Sequence, residues 1–230
     1  MKKGVLLSLT VALAVFGAAC QQPSTVNTNS AMNQNAVNRN SMNGNSMMNQ
    51  NSSTMNDNSN MSGMMDMNSS PNAASQPYDL QFIDTMTHHH QGAVDMAKMV
   101  LTKSNNEELK KFAQKIIDDQ NKEIAQMKDW REKWFAGKPA AMNMEMPGMK
   151  DSMKMMIGDG MKRMEATGGK EFDLMFLDMM TPHHAGATTM AKEALSKAEH
   201  QETKTLANQI IEAQEAEIKQ MADWKAKWSK

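Results

Sequence analysis

A chain of 230 residues that sets 25 basic against 26 acidic side chains has no basic excess with which to hold nucleic acid. Its single cysteine, Cys20, lies so early that anything folded after it lacks disulfides, thiolate zinc sites and cysteine nucleophiles. The anomaly is sulfur of another kind: 28 methionines, whose thioethers favour soft ions such as Cu(I).

In chain order, Lys2 and Lys3 precede an apolar run from Val5 to Phe16 that ends in small residues before Cys20. This is the pattern of a secretory signal, and the run is too short for a comfortable membrane span. The stretch FGAAC at 16–20 resembles a bacterial lipobox, in which the cysteine is lipidated and becomes the mature N-terminus, although Gly17 stands where such boxes usually carry Leu. The expectation is a signal over 1–20 and a lipoprotein held at Cys20, facing the periplasm or the cell surface; plain secretion is the alternative. Loss of Lys2 and Lys3 would take the formal charge from −1 to −3.

Residues 21–76 are Asn, Ser, Met and Gln with almost no charge and no apolar periodicity, a composition that cannot bury enough surface to fold alone. They read as a disordered tether with a root-mean-square reach of roughly 40 Å. Methionine is ordinarily an adaptable core filler, and a tether has no core. Met61 with Met64, and Met65 with Met67, place thioethers close enough along a flexible backbone to close around one soft ion. Compositional drift and a sacrificial, reversible oxidant sink are the competing readings.

A helical hairpin is expected over 77–135. From Asp79 to about Leu101, the residues Asp79, Phe82, Ile83, Met86, His89, His90, Ala93, Met96, Ala97, Val100 and Leu101 share one broad face. A second helix is expected to open after Ser104, whose hydroxyl with Glu107 suggests a capping box, and to run to about Trp134. Its inner face, Leu109, Phe112, Ala113, Ile116, Gln120, Glu123, Met127, Trp130 and Trp134, is interrupted by Gln120 and Glu123. Buried amides and carboxylates need hydrogen bonds, charge partners or metal, and the facing His89 and His90 are the obvious ones.

The segment 136–170 carries nine methionines broken by Pro147, Gly148, Gly158 and Gly160. It reads as a long crossover with a short helix near 151–156, lying over one end of the bundle. Its methionines, among them Met142, Met144, Met146, Met149, Met153, Met155 and Met156, are either auxiliary soft-metal ligands or an amphipathic patch packed on the domain.

A second hairpin, 171–230, repeats the first without a gap. The block from Tyr78 returns at Phe172, 94 residues later, and IIDDQNKEIAQMKDWREKW from Ile116 returns as IIEAQEAEIKQMADWKAKW from Ile210. The repeated stripe is Asp173, Phe176, Leu177, Met180, His183, His184, Ala187, Met190, Ala191, Ala194 and Leu195, and Gln214 and Glu217 repeat the polar interruption. Pro182 either kinks this helix or opens a new one with Thr181 as its cap. Gly92, Ala93, Gly186 and Ala187 permit close helix approach near the histidines. Two hairpins that each leave an apolar stripe uncovered predict an all-α, antiparallel four-helix bundle.

Adjacent helical residues point about 100° apart, so His89 and His90 are not expected to chelate one ion together, and one His of each pair should face inward. There Met86, one turn before, and Met96, one to two turns on, supply thioether neighbours suited to Cu(I) or Ag(I). The competing reading is a hydrogen-bonded core histidine. His200 has no counterpart in the first hairpin and reads as surface.

The pattern D-x-x-F-x-x-x-M-x-x-H-H-x-G-A-x-x-M-A, followed by Q-x-x-E-I-x-x-M-x-x-W, occurs twice and resembles domain-of-unknown-function family 305, which includes CopM-like periplasmic copper-binding proteins. The resemblance covers nearly all of 78–230 and implies a ferritin-like four-helix fold. It also implies a metal site of His89, His90, Met86 and Met96 with His183, His184, Met180 and Met190, and Met127 and Met221 as further ligands. Asp79, Glu123, Asp173 and Glu217 match as well, and with Gln120 and Gln214 they are expected to orient imidazole. The first copy departs by carrying His88 where the second has Pro182.

The function expected is envelope-anchored binding of Cu(I), with Ag(I) or Cu(II) as alternatives, for buffering, resistance or transfer and without turnover. Its partners would be the metal ion, a membrane through the lipid anchor and a copper-transfer protein. A structural or oxidant-sink protein and a b-type haem carrier with His and Met axial ligands are the alternatives. A di-iron enzyme is disfavoured, because none of the 6 histidines has Glu three residues before it.

Overall fold

The computed structural model describes residues 68–154, 156 and 159–230. The signal, Cys20, Met61, Met64, Met65, Met67 and Met155 lie outside the described residues. Those described form a short 3-10 turn at Ala73–Ser75 and the helices α1 (Tyr78–Lys103), α2 (Glu107–Phe135), α3 (Met149–Met153), α4 (Asp159–Ala166), α5 (Gly169–Lys197) and α6 (Gln201–Trp228). Among them no helix is long and apolar enough to cross a membrane.

The fold is an all-α, antiparallel four-helix bundle made of two hairpins, α1/α2 and α5/α6, joined through α1 and α5. These two central helices run in opposite directions. The Tyr78 hydroxyl at the start of α1 donates to Glu193 near the end of α5, and Lys103 at the end of α1 lies over the Phe172 ring near the start of α5. On the flanks α2 meets α6 through Phe112 edge-on to Trp224, with ring centroids 5.1 Å apart, and through the ion pair Lys115–Glu217 at 2.9 Å.

Both expected stripes are buried along their length except Leu101 and Leu195, which are half-buried. Burial goes further on α1, taking in Leu80, Thr85, Val94 and Met99, because this helix is covered by a third layer as well as by α2 and α5. That layer is the crossover. Asp84 accepts from Arg131 Nε at 3.0 Å and from the Ala141 amide at 2.8 Å, Thr85 Oγ1 accepts from the Asn143 amide, and Asn143 Nδ2 donates to Gln81. The end of the segment read as tether joins it: the Ser70 amide donates to Met142 O and the Met144 amide to Ser69 Oγ. Replacing Asp84 with Ala is expected to lower unfolding free energy by about 1.5–3 kcal/mol, the usual worth of bonds to a charged acceptor, measurable by urea denaturation.

Three local expectations are corrected. Asn106, not Ser104, caps α2, its side chain accepting from the Glu108 and Leu109 amides; Ser104 follows the last residue of α1 as its C-terminal cap, and its hydroxyl accepts from the Asn106 amide instead. Pro182 sits inside an unbroken α5, and the Thr181 hydroxyl donates back to Leu177 O rather than capping a new helix. The short crossover helix lies over the middle of the bundle rather than one end. Gly186 makes room for it, since a Cβ there would stand 2.5 Å from Gly148 O and 2.7 Å from Ser152 Oγ.

Candidate metal centre

Both histidines of each pair are buried, not one, because α1 and α5 are covered on more than one side. His90 turns toward α2, where its Nε2 lies 2.7 Å from Glu123 Oε2; His184 turns toward α6 and meets Glu217 Oε2 at 2.9 Å. One turn earlier Thr87 donates to Met127 Sδ at 3.9 Å, and Thr181 Oγ1 lies equally far from Met221 Sδ while its one hydrogen goes to Leu177 O. Glu123 and Met127 are four residues apart on α2, so one face carries a carboxylate and a thioether toward one turn of α1, and the second hairpin repeats the arrangement.

The other histidine of each pair points at its own counterpart. The His89 and His183 rings stack with centroids 3.7 Å apart and planes tilted 35°. These are equivalent positions of the repeat, and equivalent groups of a twofold arrangement touch only on its axis. The pseudo-twofold axis of the bundle therefore passes between them. The symmetry extends outward: centroids within each His pair are 6.3 Å apart in both copies, and the stacked pairs Trp130–Trp134 and Trp224–Trp228 stand at 5.1 and 5.2 Å.

Hydrogen bonds fix the tautomers. Carboxylate oxygens accept, so His90 and His184 donate from Nε2, and Nδ1 is the ring nitrogen left facing away from the carboxylate. Ser152, on α3, has its one hydroxyl hydrogen committed to Met149 O at 2.8 Å, so at 3.0 Å it accepts from His89 Nε2–H. His89 Nδ1 is then a lone pair. In all three residues Nδ1 is buried without a partner, and His183 has no partner at either nitrogen. Each such orphan costs about 1–3 kcal/mol, which makes the cluster an unmet demand for a Lewis acid or a donor.

Burial first, and then the neighbouring imidazoles, hold the His89 and His183 pKa values well below the ordinary imidazole range, so both rings are neutral and able to ligate. Burial raises the Glu217 carboxyl, but His184 and Lys115 outweigh it and keep the group below its usual value, a charged acceptor for His184. A carboxylate behind imidazole is the arrangement that orients metal-binding histidine. Among the described residues no three His, Cys, Asp or Glu side chains gather as a metal-holding group.

Met86, Met96, Met180 and Met190 are all fully buried on the same two central helices as the histidines. Met144, Met146, Met149, Met153 and Met156 are buried in the core and Met142 is half-buried against it, as an apolar packing patch would be. Other expectations fail. Asp79 orients no site histidine; it accepts from the Glu199 and His200 amides and pairs with His200, tying the α5–α6 connection to α1. Asp173 does not do the same, because Ser104 already takes the Asn106 amide. Neither Gln120 nor Gln214 bonds an imidazole: both amide atoms of Gln120, and Oε1 of Gln214, are buried without partners. His200 is half-buried, stacked on Trp134 at 3.9 Å, rather than a surface residue. Ser152 was missed, and its signal was faint: it is the one hydroxyl residue between Met142 and Met164.

Each of the two duplicated helical hairpins carries one His–Glu pair, His90–Glu123 and His184–Glu217. The chain belongs to the family described as Domain of unknown function (DUF305), whose model matches residues 18–131 and 79–225. Among solved structures it is similar to CopM in the Cu(I)-bound form, at 38% identity over 65% of this chain and 96% of that one, with a TM-score of 0.54. CopM has also been solved in Cu(II)-bound, Ag-bound and apo forms. A DUF305 protein of Streptomyces coelicolor matches at 31% identity over 66% of this chain and 93% of that one, TM-score 0.59. A DUF305 fragment from Deinococcus radiodurans matches at 26% identity over 66% and 97%, TM-score 0.58. No curated protein matches the chain.

Proposed function

We propose that this protein binds copper, Cu(I) ahead of Ag(I) and Cu(II), through imidazole and thioether groups of the duplicated hairpins. It would hold the metal for buffering, resistance or transfer without turning anything over. The observation that carries the reading is the set of buried, partnerless Nδ1 atoms on His89, His90 and His184, each ring fixed from behind by an acceptor at Nε2. Similarity to CopM, solved with Cu(I), Cu(II) and Ag, supports the choice of metal. Thioethers have no proton to lose, so such a site keeps its ligands in an acidic, oxidising compartment. That suits an exported protein anchored at Cys20, with the tether methionines as weaker auxiliary sites and a copper-transfer protein as the receiver.

The test is a Cu(I) competition titration of the full chain against a chromophoric chelator, compared with His90→Ala/His184→Ala. Wild type should hold at least one ion tightly, and the double variant should bind it at least about 10-fold more weakly, since removing a metal-site imidazole forfeits at least what an orienting group supplies. Unchanged count and affinity would move binding away from His90 and His184, to the other two central histidines or to the methionine-rich segments. A wild type that takes up no Cu(I) would end the metal reading.

A further inference from the structure

Of the four central histidines, His183 has the least support. It is 1% exposed, and neither nitrogen meets a donor or an acceptor. Its counterpart His89 has one bond, from Nε2–H to Ser152, and a bare Nδ1. A buried neutral imidazole needs an acceptor for its N–H and something to take its lone pair. The rings meet on the pseudo-twofold axis, so both copies reach this point with the same residue.

We infer that a single soft monovalent cation binds on this axis, shared by His89 Nδ1 and a nitrogen of His183, so that the two copies build one central site and not two. The inference rests on the metal reading above and adds its stoichiometry and ligand pair. Two opposed imidazole nitrogens are a sufficient ligand set for a d10 monovalent ion, and imidazole suits copper. In stacked rings tilted by 35° the lone pairs do not converge, so one ring turns about its Cβ–Cγ bond to share the ion. His183, which no hydrogen bond holds, is the one that turns; His89 is held by Ser152. The crossover occurs once in the chain, so only the first copy has a residue in the place of Ser152, and the site is anchored on one side and completed by the other. Glu123 and Glu217, one histidine away on either side, offset the charge of the ion in this buried setting. A water donating to the same two nitrogens is the rival occupant.

The full-length chain is titrated with Cu(I) against a chromophoric chelator as wild type, His89→Gln, His183→Gln and the double variant, with circular dichroism as the check on folding. Each single variant should lose the same tightest ion, and the double should lose no more than either single. Loss of two ions in the double would show two separate sites and overturn the sharing. Retention of every ion in either single variant would overturn it too, leaving water or nothing on the axis while Cu(I) binding elsewhere survived. Failure of wild type to bind Cu(I) would instead remove the metal reading beneath it. Ser152→Ala leaves both imidazoles in place, so it decides the matter where a His variant does not fold. It should keep the ion count and weaken the tightest ion about 10-fold or more, and an unchanged affinity would refute the assignment.

Discussion

Acidifying the metal-free protein from about pH 7 to about pH 5 should cut its unfolding free energy steeply, by up to about 2.7 kcal/mol per pH unit once well below 6.5, two protons at about 1.36 kcal/mol each. The two groups responsible are His89 and His183, whose pKa values in the fold lie well below 6.5, first through burial and then through neighbouring imidazoles, His183 foremost for His89 and His184 foremost for His183. In the unfolded chain both take up protons near 6.5, and in the fold they do not. The unfolded state thus binds more protons below 6.5, and stability rises with pH there. The contribution is fully present above 6.5 and disappears as pH falls toward the folded values. Glu217, held below its usual 4.5 by His184 and Lys115 against the opposing effect of burial, adds a second loss at more acid pH. Urea unfolding at several pH values measures the slope. His89→Gln/His183→Gln should flatten it between about pH 6.5 and about pH 5, and an equally steep slope in that variant would remove these residues as the cause.

Replacing Gly186 with Ala should destabilise the protein by about 1–3 kcal/mol, the range for overpacking a filled interior. The new methyl group would fall on Ser152 Cβ and stand 2.5 Å from Gly148 O, with Ser152 Oγ 2.7 Å away. These are not ends of flexible side chains that can swing aside. One is backbone, held by the Ser152 amide that donates to Gly148 O, and Gly148 is itself in the left-handed region at φ 87°, where a side chain would be strained. The cheapest relief is for α3 to lift from α5. That would break the Ser152–His89 bond and free His89 to turn, so the variant should show faster amide exchange over 149–153 as well as a lower melting temperature. Loss of stability with unchanged exchange at α3 would mean that the strain is relieved elsewhere.

Much of the architecture was legible in the residues. The gapless repeat specifies two equivalent hairpins, and the period of Phe82, Met86, His89, Ala93 and Met96 marks the buried face of α1. The polar interruptions predicted partners, and Glu123 and Glu217 found them in His90 and His184. What failed did so where several elements compete for one group. Ser104 and Asn106 both fit a helix cap, and the choice depended on α1 ending where it does. Asp79 lies on the same face as His89 and His90, but three turns of helix carry it to the α5–α6 connection, where two amides were waiting.

The sequence by itself determined the donors, their helix faces and their duplication, because periodicity and repetition act along one chain and need no knowledge of neighbours. Tertiary structure alone decided that His89 would meet His183, that both histidines of each pair would be buried, and that a serine from the crossover would set the tautomer of one of them. Those outcomes follow from how two central helices cross and what a glycine lets approach them. Distance between residues 63 or 94 positions apart is a property of packing, and no local pattern encodes it.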